Sequence, residues 1–217
     1  NFTGTTIRPT ADVTVIKKED TVTDCTRVRV SNFLIEGNSA YNSYMIDLNG
    51  FFLSVFENVW IRNAKNGVRL INSNSVVFRD VKFMEDFHGT SVFVGSGSTA
   101  IRFYNCNFEQ NPRAGYDTLD VKFEVNGESG GYLSGAFLSG CQTERTSIVV
   151  TNGRLTCVDL RAALSSIVLN KRSNSSTFSG GYSVYSTLHD FGFNTKSTFN
   201  KHFKLQTGKT PTEFFKS

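Results

Sequence analysis

Through most of residues 1–185 apolar and polar side chains alternate in short runs, and the runs are separated by polar turns that often contain glycine. Strict alternation is the signature of strands with one buried side. Four runs align with one another: Val30-Ser-Asn-Phe-Leu-Ile35, Phe56-Glu-Asn-Val-Trp-Ile61, Phe78-Arg-Asp-Val-Lys-Phe83 and Phe103-Tyr-Asn-Cys-Asn-Phe108. Their starts are 26, 22 and 25 residues apart. Repeats of that length are what one turn of a β-solenoid requires. The shared pattern is apolar-x-[Asn/Asp]-apolar-x-apolar, in which the apolar positions point to one side of the chain. The third position breaks the alternation with Asn32, Asn58, Asp80 or Asn105, residue types that accept turn conformations and bond nearby backbone. A bend between two short strands is predicted there, and stacked amides at such a bend can bond along the stack.

Second strands are predicted over Gly67–Asn72, Ser91–Val94 and Leu119–Phe123, each after a polar turn containing glycine. Less regular ones follow at Tyr132–Leu138, Ser147–Val150, Leu155–Leu160 and Ser166–Leu169. An antiparallel sandwich would also give short, evenly spaced strands. Against it, hairpin signals between matched strands are few. The Asn-Gly pairs at 49–50, 66–67, 126–127 and 152–153 recur about once per repeat, as solenoid corners would. The expected fold is all-β, a right-handed single-stranded parallel β-helix (solenoid) over residues 1–185, with a short appendage of helical pattern at 186–217.

Composition adds little to this except at the C-terminus. Proline is scarce at 3 while phenylalanine reaches 20, a β-rich composition. The formal charge is +4, from 23 basic and 19 acidic side chains. Residues 191–217 carry five lysines and one acid and account for all of it, so only the tail can be argued from basicity. No apolar run approaches a membrane span and no secretion signal is evident, so no membrane partner is expected. The chain starts without Met and is expected to be part of a longer protein. Cys25, Cys106, Cys141 and Cys157 are far apart and lack metal or redox spacing. No metal or cofactor is implied, and Cys106, at an inward strand position, reads as a small buried filler.

The stretches "FENVWIRNAKNGVRLINS" and "VVFRDVKFMEDFHG" resemble the right-handed parallel β-helices of bacteriophage tailspikes, a likeness that covers roughly residues 10–183. It implies a homotrimeric receptor-binding protein, on the virion tail or otherwise extracellular, that recognises and often cleaves bacterial surface polysaccharide. Pectate lyases and polygalacturonases are a less close match. The final stretch, "GFNTKSTFNKHFKLQTGKTPTEFFKS", is similar to the end of AraC-type transcriptional regulators. Thr195 can cap a helix bearing Phe199 and Phe203 at i and i+4, Gly208 can end it, and Pro211 can open another. The likeness implies DNA contact through Lys196, Ser197, Lys201 and Lys204. The family's first helix-turn-helix is missing, and a partial unit cannot bury its apolar face.

A glycan-cleaving solenoid needs two carboxylates on its side face, one to donate a proton and one to act as base or nucleophile. The densest acidic group is Glu85, Asp86, His88, Glu109, Asp117 and Asp120. Glu85, Asp86, Glu109 and Asp117 are the catalytic candidates, with Glu85 and Glu109 expected one turn apart. A lyase would instead need a base and a group to neutralise a uronate. For binding, Trp60 and Tyr104 occupy outward positions and could stack on sugar rings, and Arg62 and Arg102 could pair acidic sugars. The leading expectation is recognition and cleavage of surface polysaccharide. A non-catalytic adhesin or structural fibre segment is the alternative, and a DNA-binding regulator fragment, the only reading with a nucleic-acid partner, is a second one.

Overall fold

This computed structural model describes residues 4–18, 25–84, 87, 89–109, 121–127, 134–151, 153–163, 165–170 and 177–183, and in the tail Asn200, Lys201, Lys204, Thr210 and Glu213. The chain is a parallel β-helix: every strand pairing among the described residues is parallel, and strands of successive turns stack in order. Each turn contributes to three faces. The first face holds residues 29–31, 55–57, Val77–Arg79, Ile101–Tyr104, Ser134–Ser139, the start of Gly153–Ala163, and Thr177–Ser183. The second holds Thr5–Ile7, 33–36, 59–62, Lys82–Met84, Asn107–Glu109, Gln142–Glu144 and 161–163. The third holds Ile16–Lys18, Tyr44–Asn49, Asn66–Ile71, Gly89–Val94, Val121–Asn126, Thr146–Thr151 and Ser166–Asn170.

The first two faces are one sheet folded along a line of left-handed residues. Asn32, Asn58, Asp80, Asn105, Gly140 and Asp159 stand at φ between 49° and 63°, the region that Gly, Asn and Asp enter at least cost. The side-chain amide of Asn58 donates to Asn32 Oδ1 at 2.9 Å, a bond along the stack between the first two bends. At the fifth turn Gly140 holds the bend at φ 63°, and a Cβ there would lie 2.6 Å from Asn105 Oδ1.

Inside, the repeat becomes columns of like residues. Phe56, Phe78 and Phe103 stack with ring centroids 5.1 and 4.9 Å apart, and Phe83 stacks on Phe108 at 5.4 Å. Phe123, from the third face, meets Phe103 and Phe108 edge-on. All six are fully buried. Polar corners are satisfied internally: Ser73 Oγ accepts from the Phe51 amide at 3.1 Å and donates to the Ile71 carbonyl at 2.9 Å. Cys106 and Cys141 are buried and free, their sulfurs within 3.4–3.6 Å of backbone carbonyls. Burial pushes the Cys157 thiol up to about 12. The thiols fill space, as read for Cys106.

In the tail, Asn200, Lys201 and Lys204 are helical, and Lys201 and Lys204 are exposed. The Thr210 amide donates to Glu213 Oε2 at 2.7 Å while the Glu213 amide donates back to Thr210 Oγ1 at 3.3 Å. That reciprocal pair is a helix-opening capping box. Among the described residues no helix is long and apolar enough to cross a membrane.

Candidate functional site

The second face carries the densest chemistry. With inward residues alternating, its outward positions form two columns. One runs Leu34, Trp60, Lys82, Asn107, Gln142, Arg161. The other includes Glu36 and Arg62 at its N-terminal end and Glu109 and Glu144 further along. Parallel neighbours stand about 4.8 Å apart, so each column is a row of side chains at that spacing.

The N-terminal end of this face is internally neutralised. Glu36 accepts from Arg8 at 2.7 Å and from Arg62 at 3.1 Å, and the Arg8 hydrogen bond is the main reason its carboxyl is held below the usual glutamate range. Next along, the Lys82 ammonium lies 4.6 Å from the centroid of the Trp60 ring, covering one aromatic face. Beyond Lys82 come the two carboxylates. Glu109 and Glu144 are register partners on adjacent strands, both half-buried. Asn107 Nδ2 donates to Glu109 Oε1 at 3.0 Å. Burial first, and the Glu144 charge second, push the Glu109 carboxyl above its ordinary value; Lys82 and Asn107 act in the opposite direction. Two adjacent carboxyls, one displaced above its ordinary value, are the minimal equipment for general acid chemistry.

Glu85 and Glu109 were expected one turn apart. The register Phe83–Phe108 sets Glu109 level with Met84. Glu85, Asp86, His88, Asp117 and Asp120 lie outside the described residues. The partner that the structure supplies, Glu144, was not among the candidates. Its turn reads Leu138-Ser-Gly140-Cys141-Gln-Thr143, with Gly at the bend and Thr at the last inward position, so it escapes a pattern requiring Asn or Asp and then an apolar residue. A pattern that allowed glycine at the bend and threonine at the last inward position would have found it.

Of the binding candidates, Trp60 stands in this cluster with Lys82 on its ring. Arg62 is engaged by Glu36. Tyr104 points outward on the first face, its ring 6.0 Å from that of Phe137, with Arg102 in register with Phe137. Of the tail residues named for DNA contact, Lys196 and Ser197 lie outside the described residues. Elsewhere on the first face Glu57 bonds Arg29 and Arg79, and on the third face Arg69 grips Asp47 through two bonds of 2.7 and 2.6 Å. Among the described residues no group of three or more His, Cys, Asp or Glu could hold a metal ion. No protein-family model, no curated protein and no solved structure matches the chain.

Proposed function

We propose that this chain is a receptor-binding β-helix of the bacteriophage tailspike kind, which binds bacterial surface polysaccharide along its side and cleaves it with Glu109 and Glu144. The observation that carries this is the adjacent carboxyl pair with Glu109 displaced upward. Glu109, whose carboxyl is displaced above its ordinary value, is the acid for the leaving oxygen, and Glu144 is the nucleophile or base. Neighbouring strands set the pair about 4.8 Å apart at the backbone, near the roughly 5 Å of retaining glycosidases rather than the wider inverting arrangement. Asn107 and Gln142 flank the pair with amides suited to sugar hydroxyls. The polysaccharide class, the virion location and the homotrimer come from the likeness of "FENVWIRNAKNGVRLINS" to tailspike turns.

The test is digestion of a panel of capsular and O-antigen polysaccharides, with mass spectrometry of the products. Discrete repeat-unit oligosaccharides with retained anomeric configuration are expected. Glu109→Gln should slow their release by about 10²–10⁴-fold, the usual share of a positioned acid. A glycan that binds but is never cut would leave the adhesin reading in place of the enzyme.

A further inference from the structure

The first face meets the carboxylate pair around the bend. Arg102 and Tyr104 belong to the same turn as Glu109, and Phe137 to the same turn as Glu144. Between Tyr104 and Asn107 there are only the bend residue Asn105 and buried Cys106. The outward positions of this face from Val77 to Val158 hold three arginines, Arg79, Arg102 and Arg154, and no acid; Asp80 and Asp159 sit in the corner itself. Arg79 is 3.4 Å from Glu57, whereas Arg102 and Arg154 have no ion-pair partner among the described residues. Two aromatic rings, Tyr104 and Phe137, stand beside Arg102 in the same patch.

We infer that the polysaccharide held at Glu109 and Glu144 is acidic, and that Arg102 binds an anionic substituent of a sugar seated against Tyr104 and Phe137. This rests on the glycan reading of the carboxylate pair. Guanidinium forks bind carboxylates through two parallel bonds, while aromatic faces take up the apolar side of a sugar ring. A neutral glycan would use the rings and leave the arginines idle. A polyphosphate would suit arginines and rings, but it would carry its charge past two carboxylates around the corner. An acidic polysaccharide, with its charges spaced by neutral sugars, satisfies both faces.

Binding is measured with the Glu109→Gln chain, so that nothing is consumed, on uronate-bearing capsular polysaccharides, each beside its carboxyl-reduced neutral form and beside single-stranded oligonucleotide. The expected result is at least a tenfold loss of affinity on carboxyl reduction, and a comparable loss with Arg102→Gln on the unreduced polymer. Arg102→Lys should recover part of it, which a folding defect would not. Equal affinity for reduced and unreduced polymers overturns the inference and leaves the glycan reading standing, and so does an Arg102→Gln chain that binds as its parent does. Preference for oligonucleotide also overturns it. No affinity for any glycan removes both.

Discussion

Single residues decide where this coil bends and how its side face is charged. The fold asks the bend position of each turn for a left-handed backbone, which costs an ordinary L-residue about 1–2 kcal/mol, and Asn105 meets that demand at φ 52°. Asn105→Val should therefore lower unfolding stability by about 1–2 kcal/mol, while Asn105→Gly should lie near wild type, as urea midpoints would report. Glu109 is a second case. Its folded-state carboxyl lies above its ordinary value, chiefly through burial and then through Glu144. The fold thus favours the protonated form. That contribution is present below the ordinary value and is lost as pH rises through the raised one, so at neutral pH the ionised group is a burden. Glu109→Gln should raise Tm at pH 7 by at most about 2–4 °C, since the pair is half-exposed and screened. The gain should vanish near pH 4. A variant less stable at pH 7 would contradict the assignment.

The strands and turns were the most legible part of the sequence. The alignment of four runs gives the observed register, Phe56 on Phe78, Phe78 on Phe103 and Phe83 on Phe108. It works because an interior stack demands like residues at like positions, and aromatic rings mark those positions plainly. Phe78 lies between two rings at 5.1 and 4.9 Å, so Phe78→Ala should cost about 3–5 kcal/mol in chemical denaturation. The outward columns carry no such constraint. Glu144 and Glu109 are brought together by register alone, 35 residues apart in sequence. A slip of one position in such a register turns a side chain to the opposite side. Gly140 hid the fifth turn because two chemistries, an amide side chain and a missing Cβ, serve one backbone conformation.

For the whole molecule, a neutral coil carries its charge in local patterns. The second face is closed by Arg8, Glu36 and Arg62 at one end and opens to Trp60, Lys82, Glu109 and Glu144 along its length. The tailspike reading adds an expectation about assembly: light scattering of the purified chain should give three copies of 24.1 kDa. The proposed cleavage requires that Glu109 and Glu144 act as one catalytic unit. Its most direct test compares oligosaccharide release by wild type, Glu109→Gln, Glu144→Gln and the double variant, on a polysaccharide that the wild type cuts. Groups acting as a unit are strongly non-additive, so either single substitution should cost nearly as much as both. A Glu144→Gln chain that cuts at the wild-type rate would contradict the account.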